Sequence, residues 1–463
     1  MQNKSYDGIA FISKDYQIPF HFQDGKIELF LGGTCTLEEG ATTIIGQSHG
    51  TLCGGFIYFN LPIPIENVGV MYTISETGQS ESQAISMGNV KYDVDFYIEK
   101  YEVDAEINQM RFSFPELDYF LPSSDVCEAL FEANTIKTMT FPSTPIIVKN
   151  FSFTLKGCDI LFTLRIRVDG KWGSPRSTAT TKSELLLEFE KTKELDFLVD
   201  LFYIVNDFFC FLCNRKNIAL ENATLIGVKH LRSPISGDEK AVPVTQILQI
   251  VDRYKDMPES EKTIGKIINY YILETQLEKL FSLFVDNKVS VQSIHSSCRA
   301  RNLLDLKQSL QITAAFEHYY REYIPETPSD IALEFYSDIK ALLEAYAKNN
   351  TGKKKKKANN LIKGLLPEPA LSDKVSKTYD GCENWNSLAP VLDEWFNGQI
   401  DELANVANDW RNELAHQNGR YEPDMCVVSA IRLVEHLNYC IVLRQAGYSD
   451  EQIKNIIKIV LAR

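Results

Sequence analysis

One short segment near the C-terminus carries residue types that together could transfer protons at a phosphate group. Arg411, Asn412 and His416 lie within residues 397–419. Apolar residues recur at helical spacing in that segment: Leu403, Val406, Trp410 and Leu414. The pattern predicts a helix over 399–418. Asn412 and His416 are four residues apart and share a helix face, and the longer Arg411 side chain can reach the same pocket.

This combination suits acid–base chemistry at a phosphodiester. The imidazole of His416 can accept or donate a proton, Arg411 can neutralise charge on phosphoryl oxygens, and Asn412 can orient either group. The dipole at a helix C-terminus would favour the imidazolium form by up to ~2 kcal/mol. The alternative is structural: Arg411 forms a surface ion pair with Asp409 or Glu413, and His416 only caps the helix. Spacing alone leaves both readings open.

The run from Arg411 to His416, Arg-Asn-Glu-Leu-Ala-His, resembles the R-N-x-x-x-H signature of the HEPN superfamily of ribonucleases. A wider similarity to ApeA-type anti-phage proteins covers most of the chain. Those proteins pair a β-rich N-terminal domain with a C-terminal HEPN domain. Residues 184–225 resemble the end of their first domain, and residues 301–323 resemble the opening long helix of their HEPN part.

The resemblance implies a metal-independent endoribonuclease without a cofactor, in which the ribose 2′-OH attacks the adjacent phosphorus. Arg411, Asn412 and His416 would be its catalytic residues. A single histidine would have to act as both base and acid, so two motifs across a two-fold interface, and hence a homodimer, belong to this hypothesis. The expected substrate is single-stranded RNA, with tRNA loops as one candidate. The resemblance also implies antiviral defence of the abortive-infection type.

The length, composition and charge of the chain limit the number of domains and the kind of RNA contact that can be expected. The chain has 463 residues, of which 44% are hydrophobic and 24% are charged, so extended disorder is excluded and two domains are expected. The net charge is −14. Residues 1–242 carry 21 basic and 32 acidic groups, while residues 243–463 carry 27 and 30. A protein that coats nucleic acid non-specifically should be far more basic, so any contact with RNA must be local.

The expected fold class is α+β in two domains. Residues 1–235 are expected to form a β-rich domain, an antiparallel sandwich or barrel with one packed helix, because two period-2 runs flank Asp24-Gly25 and two more flank Lys156-Gly157. The resemblance implies that this domain is a sensor or regulatory domain. A further turn is expected at Asp169-Gly170. Helical spacing from Leu195 to Leu212 predicts the packed helix. A phage-derived trigger would bind this domain.

Residues 243–463 are expected to form an all-helical, HEPN-like bundle. Pro, Gly, Ser and charged residues over 233–243 mark the boundary, beyond which the apolar period becomes helical. The predicted helices span residues 244–256, 260–286, 289–323, 329–348, 385–397, 399–418, 425–446 and 449–461. Five lysines are expected to form a solvated loop that could also hold an RNA backbone: Lys353, Lys354, Lys355, Lys356 and Lys357. This bundle on its own should dimerise and cut RNA, the N-terminal domain being inhibitory.

Other candidate sites have simpler explanations. Cys210 and Cys213 have C-x-x-C spacing on an apolar helix, which favours core thiols. His295 and Cys298 lack a second ligand pair, and His318 is expected to be a partly exposed helix residue. No metal site is therefore predicted. Ten scattered cysteines and the absence of a signal-like N-terminal run or a continuous apolar span favour a cytoplasmic protein with no membrane segment.

Two other functions stay open from the sequence. The chain could be a non-catalytic, dimerising interaction protein whose β-rich domain binds a protein or a carbohydrate. It could also act enzymatically on carbohydrate through that domain, although no paired-carboxylate site stands out there and a fold does not fix a function.

Overall fold

The chain folds as an α+β protein with two compact units. The computed structural model describes residues 5–13, 16–31, 43–48, 56–60, 63–73, 84–123, 144–171, 178–232, 237–251, 259–324, 330–364, 369–396, 398–416 and 423–461. The β-rich unit contains residues 1–213 and 217–270, and the helical unit contains residues 214–216 and 271–463. The described residues form fourteen strands and fourteen α-helices.

The strands of the β-rich unit pair antiparallel throughout their described ladders. They are β1 Ser5–Ser13, β2 Tyr16–Gln23, β3 Lys26–Leu31, β4 Thr43–Ser48, β5 Phe56–Asn60, β6 Ile63–Thr73, β7 Ala84–Asp93, β8 Phe96–Tyr101, β9 Glu106–Phe112, β10 Ile146–Leu155, β11 Cys158–Lys171, β12 Thr178–Thr192, β13 Asn222–Arg232 and β14 Glu239–Ile250. Their hydrogen-bonded order is β10-β11-β12-β9-β13-β14-β8-β5-β4-β1-β2-β3-β7-β6.

Both predicted hairpins are confirmed. Strands β2 and β3 meet around Asp24 and Gly25, which have φ of 52° and 76° and so occupy the left-handed region that such a turn requires. Strands β10 and β11 turn at Lys156 and Gly157 in the same way. The expected turn at Asp169-Gly170 is wrong, because β11 continues through it and pairs with β12.

One long helix of the β-rich unit packs on the sheet, as its spacing predicts. This helix, α2, spans Leu195–Cys213 after the short helix α1, Pro115–Phe120. Phe202 of α2 lies 5.9 Å from Phe112 of β9, and Phe197 lies 5.4 Å from Phe189 of β12, measured between ring centroids. Aromatic contacts of this kind stabilise the packing beyond the area they bury.

The predicted domain boundary at residues 233–243 is wrong, as is the helix predicted over 244–256. Strand β14 spans most of that region and pairs with β13 from Arg232↔Glu239 to Asn222↔Gln249. The β-rich unit therefore continues to residue 270 instead of ending at 235. The segment is rich in Val, Ile and Thr, which favour strands, and a complete partner strand outweighs a short helical spacing of apolar residues.

The remaining helices lie in the helical unit, except for the helix Glu261–Ile264 and for Tyr270, which belong to the β-rich unit. They are α3 Glu261–Ile264, α4 Tyr270–Leu273, α5 Leu277–Val285, α6 Cys298–Asn302, α7 Leu306–Tyr323, α8 Asp330–Lys348, α9 Gly352–Gly364, α10 Leu371–Asp380, α11 Ala389–Phe396, α12 Ile400–His416, α13 Met425–Gln445 and α14 Asp450–Val460. The long helices predicted over 260–286 and 289–323 are each divided into shorter ones.

Helix α13 is the central helix of this unit and packs against α7, α12 and α14. It is the one described helix that is long and apolar enough to cross a membrane, and 72% of its most apolar stretch is buried within the protein. Such burial is typical of the core helix of a bundle.

The lysine run is helical, so the predicted loop is wrong. Lys353 to Lys357 form the first turns of α9, directly after Gly352, whose φ of 62° reverses the chain following α8. Lysine is a good helix former, and α9 packs on α8, which supports a helix despite the repulsion of like charges. All five lysines are exposed.

Candidate functional site

Helix α12 carries the Arg-Asn-x-x-x-His motif and is held by an apolar face. Leu403 and Trp410 are buried as predicted, whereas Val406 and Leu414 are half-buried. Ala404 and Ala407 complete the buried face. The helix packs on α7, α10 and α13 through this face, which leaves Arg411 and Asn412 at its partly exposed edge.

Arg411 is bound by a carboxylate from a different helix. Its Nη2 donates to both Oε1 and Oε2 of Glu317 on α7, at 3.2 Å each. Its Nη1 donates to Oδ1 of Asn412 at 3.2 Å. The cation and the amide of the motif are therefore brought together, as the spacing predicts. Arg411 forms its ion pair with Glu317. The local alternative predicted a pair with Asp409 or Glu413 instead.

The exposure of this ion pair leaves it open to a ligand. The Arg411 side chain is 38% exposed and that of Glu317 is 20% exposed. A guanidinium has five N–H groups, and the contacts to Glu317 and Asn412 engage only part of them. An anion could therefore bind Arg411 without first breaking its contact with Glu317.

His416 is the last residue of α12, but its side chain lies outside the described residues, as do Asn418 and Gly419. The predicted convergence of imidazole with Arg411 and Asn412 therefore stays a prediction. The backbone supports it to this extent: residues 412 and 416 are four apart on a continuous helix, which places them on one face.

An open groove of about 660 Å³ is lined by sequence neighbours of the Arg411–Glu317 pair, but neither Arg411 nor Glu317 is itself a lining residue. Its lining residues come from α7, from the turn at residues 290–293 before α6, and from α12: Ser290, Gln292, Leu306, Lys307, Leu310, Gln311, Ala314, Ala315, His318 and Leu414. His318 directly follows Glu317, and Leu414 is one helical turn beyond Arg411. The lining combines apolar side chains with amide, ammonium and imidazole groups, a composition that suits a flat polar ring.

The five lysines of α9 do not contribute to this groove. None of Lys353 to Lys357 is among its lining residues. Their predicted role in binding an RNA backbone is therefore separate from the Arg411 region and stays a prediction.

A second arginine–carboxylate cluster lies in the interior of the helical unit. Glu435 on α13 accepts a hydrogen bond from Nδ2 of Asn214 at 2.9 Å, and its Oε1 lies 3.4 Å from Nε2 of His295 and 3.8 Å from Nε of Arg301. Burial alone would raise the pKa of Glu435, but the hydrogen bond from His295 and the charge of Arg301 hold it well below its usual range.

The neighbouring His436 is also buried, and burial lowers its pKa to about 4. Its Nδ1 lies 2.7 Å from the Arg432 carbonyl oxygen, and its ring meets Phe396 edge-on at 5.1 Å. Arg301 also donates to the carbonyl oxygens of Val460 and Leu461, at 2.8 and 2.6 Å. These contacts tie α6, α13 and the end of α14 together, which is a structural role.

The other predicted candidates follow their structural explanations. His295 is buried against Glu435, so its pairing with Cys298 as a metal site gains no support. Cys210 and Cys213 are buried on α2, and His318 is exposed on α7. Among the described residues, no group of three His, Cys, Asp or Glu side chains is placed to hold a metal ion.

Glu317 is the site residue that sequence reasoning missed. It lies 94 residues from Arg411, so no local spacing connects the two. The available signal was weak: a carboxylate directly follows the buried Phe316 on an amphipathic helix, at the border of the buried face, where a charged group is expected to have a partner.

Comparisons with known proteins give no neighbour for this chain: no protein-family model, no curated sequence and no solved structure matches it.

Proposed function

We propose that this chain is a metal-independent endoribonuclease of the abortive-infection type, with an ApeA-like arrangement of a β-rich sensor unit and a HEPN-like helical bundle. The observation that carries the proposal is the setting of Arg411. The motif arginine is oriented by two helices, through Glu317 on α7 and Asn412 on α12, and is partly exposed. An arginine oriented in advance lowers the cost of organising charge around a reacting phosphate.

In the proposed reaction, a base removes the proton of the ribose 2′-OH, and the 2′-oxygen forms a bond to the adjacent phosphorus. The bond from phosphorus to the 5′-oxygen breaks, and that oxygen takes a proton from an acid. His416 is the residue assigned to proton transfer, and Arg411 stabilises the charge on the non-bridging oxygens. The products are a 2′,3′-cyclic phosphate and a 5′-hydroxyl, and water is not consumed.

Two copies of the motif across a homodimer interface would supply both the base and the acid. The groove between α7 and Leu414 would hold a nucleobase next to the scissile phosphate, because single-stranded RNA presents unstacked bases to such surfaces. Lys353 to Lys357 would hold more distant phosphates. A tRNA loop is a candidate substrate, and the acidic β-rich unit is the proposed sensor of a phage-derived trigger.

The decisive experiment analyses product ends. Purified full-length protein and single-stranded RNA are incubated in EDTA, and the products are examined for 2′,3′-cyclic phosphate and 5′-hydroxyl ends. An RNA with one 2′-deoxyribose at the cut site should be resistant there, because the attacking oxygen is missing. Strict dependence on added Mg²⁺ or Mn²⁺, or products with 5′-phosphates, would contradict the proposed chemistry.

Two variants complete this test. His416→Ala should abolish cleavage. The matched control is Glu413→Ala, which removes an exposed side chain from the same helix within the motif's variable positions and should cut RNA at the wild-type rate. Equal loss of activity in both variants would point to general damage to α12, and wild-type activity in His416→Ala would refute the assignment.

The second candidate function is a non-catalytic, dimerising interaction protein. The Arg411–Glu317 ion pair also favours this candidate, because it joins α7 to α12 and so gives Arg411 a structural role that needs no catalysis. On this reading, the groove binds part of a protein. Absence of any cleavage with all RNA classes tested, with and without the activating infection, would favour this candidate.

A further inference from the structure

A small cavity lies in the β-rich unit, between helix α2 and the strands β9, β13 and β14. Its volume is about 140 Å³, close to the ~150 Å³ of an engineered protein cavity that binds benzene. It therefore has room for one six-membered ring. Apolar side chains form much of its lining, and three of them are fully buried: Ile107, Leu198 and Leu225. Gln246 of β14 contributes an amide to the same lining.

The side chain of Gln246 projects towards α2. Gln246 pairs with Leu225 of β13, which in turn pairs with Met110 of β9, so all three side chains lie on one face of the sheet. Phe112 lies two residues beyond Met110 and shares that face, and its ring is 5.9 Å from that of Phe202 on α2. The face that carries Gln246 is therefore the face that α2 covers.

The Gln246 amide is buried without a partner of its own. The residue is 3% exposed, and its side chain makes no hydrogen bond to any other residue that the structure describes. Buried amides are normally paired, because a glutamine offers one acceptor oxygen and two N–H groups. Gln249 on the same strand follows this rule: its Nε2 donates to Oε1 of Glu99 at 3.2 Å. A ligand in the cavity would give Gln246 the partner that Glu99 gives Gln249.

The groups around the cavity favour a neutral ligand. Its charged lining residues are Asp104 and Lys193, whose Oδ1 and Nζ atoms lie 3.9 Å apart. Their side chains are 79% and 55% exposed, so this opposite pair lies at the surface rather than inside. Tyr101 also lines the cavity, and burial followed by the charge of Asp104 raises its pKa, so its hydroxyl is neutral at pH 7. A charged ligand would find no counter-ion next to Gln246.

We propose that this cavity binds a neutral six-membered ring with a carbonyl next to an N–H, the chemistry of a pyrimidine base such as uracil. The ring N–H would donate to Oε1 of Gln246, and Nε2 of Gln246 would donate to the ring carbonyl. Leu198 and Leu225 would contact the ring, as apolar walls do in ligand sites with few polar groups. A purely apolar ring would fill the same space but leave the amide unpaired.

The first measurement is binding of uracil to the full-length protein, followed by ligand-observed NMR and by calorimetric titration. Uracil should bind saturably at one site per chain. Two control ligands test the polar edge. Benzene has the size of the ring without polar groups, and 1,3-dimethyluracil lacks both N–H groups, so each should bind about tenfold more weakly or not at all.

The second measurement uses two matched variants of buried glutamines on β14. Gln246→Leu removes the unpaired amide, so it should weaken uracil binding about tenfold or more, while its melting temperature without ligand should equal or exceed that of wild type. Gln249→Leu removes the amide that is bound to Glu99 on the other face of the strand. It should lower the melting temperature and bind uracil like wild type. The two variants therefore change binding and stability in opposite ways.

Titrations with uridine and uridine monophosphate identify the source of the ring. Tighter binding of either one than of uracil would indicate a nucleoside or a nucleotide, and tighter binding of uracil would indicate the free base. Each of these results supports the site, because all three ligands present the same ring edge to Gln246.

Four results would overturn the proposal: no binding of uracil, benzene binding as tightly as uracil, unchanged uracil binding in Gln246→Leu, or a Gln246→Leu protein that melts well below wild type. The last result would show that the amide is structural. The site does not rest on the proposed ribonuclease activity, because no RNA is needed in these measurements. If uracil binds through Gln246 and no RNA is cut, the ring site stands and the ribonuclease proposal fails. If RNA is cut and uracil does not bind, the reverse holds.

Discussion

Two arginine–carboxylate pairs in the helical unit use the same chemistry in opposite surroundings. Arg301 and His295 meet Glu435 in the interior, where the side chains of Glu435, His295 and Arg301 are 7%, 3% and 19% exposed. Arg411 meets Glu317 at the surface of the unit, where the two side chains are 38% and 20% exposed. Both pairs join helices distant in sequence. The buried pair is enclosed by the fold and serves stability, whereas the exposed pair orients a cation that a ligand could still reach.

Burial, rather than residue type, separates a structural cluster from a candidate site in this unit. A cluster of imidazole, guanidinium and carboxylate is what a search for catalytic residues would select, and the Glu435 cluster fits that description. Because Glu435 and His295 are enclosed, removing the carboxylate leaves the positive charge of Arg301 without its counter-ion. At the exposed pair, water can replace a lost partner at small cost.

The largest effect is expected at the buried pair. Glu435→Ala leaves Arg301 and His295 without their carboxylate and should lower the free energy of unfolding by about 3–5 kcal/mol. Urea unfolding at pH 7 measures the change, with the exposed Glu413→Ala as the control that should stay within ~0.5 kcal/mol of wild type. A loss as small as that of the control would mean that the cluster is not structural.

The next effect concerns activity at the exposed pair. Arg411→Ala should lower the cleavage rate by about 10²–10³-fold, because the charge on the reacting phosphate loses its cation. The free energy of unfolding should fall by no more than ~1 kcal/mol. Rates and unfolding curves are measured on the same preparation. Activity lost only together with folding would put Arg411 in the same class as Arg301.

A pH dependence of stability should come from His436. Its pKa of about 4 in the folded protein is below the ordinary value of 6.5, so the unfolded chain binds the proton more tightly. The stabilisation is complete above pH 6.5 and is lost as the pH falls towards 4, by about 3 kcal/mol. Unfolding free energies at pH 7, 6, 5 and 4.5 should show this slope, and His436→Gln should flatten it. An unchanged slope in the variant would assign the dependence to other groups.

The smallest effect is expected from Glu317→Gln, which keeps the size of the side chain but removes its charge. Arg411 then keeps its own charge and loses only its orienting partner, so cleavage should fall about tenfold. As a positioning residue, Glu317 should change the maximal rate more than the substrate concentration needed for half-maximal rate. Glu317→Asp should restore part of the rate. No recovery with Asp would indicate that only packing is affected.

The sequence patterns predicted correctly those elements that depend on contacts between residues close in sequence. The Asp24-Gly25 and Lys156-Gly157 hairpins need only a left-handed turn between alternating strands, and α2 needs only its apolar face. The predictions failed where a distant partner decides the outcome. Strand β14 exists because β13 pairs with it, and α9 is helical beside α8 although its sequence reads as a solvated lysine loop.

In the candidate site, too, the contact between sequence neighbours could be predicted and the contact between distant residues could not. The contact between Arg411 and Asn412 could be expected, because the Arg411 side chain is long enough to reach its neighbour around the helix. Glu317 could not, because its pairing with Arg411 depends on how α7 packs on α12. Nothing in the spacing of either helix specifies that packing.

Residues 214–216 belong to the helical unit, although the residues on both sides of them belong to the β-rich unit. This affects the order in which the helical unit can fold during synthesis. Asn214 leaves the ribosome 221 residues before its partner Glu435, a delay of about 10–40 s at ordinary translation rates. Most of the β-rich unit, to the end of α2, is already synthesised by then, but the helical unit can complete its buried cluster only after residue 435. A fragment that starts at residue 243 or 271 lacks Asn214 altogether. Such a fragment reports on an incomplete bundle, so its behaviour in cells would not isolate the effect of removing the sensor.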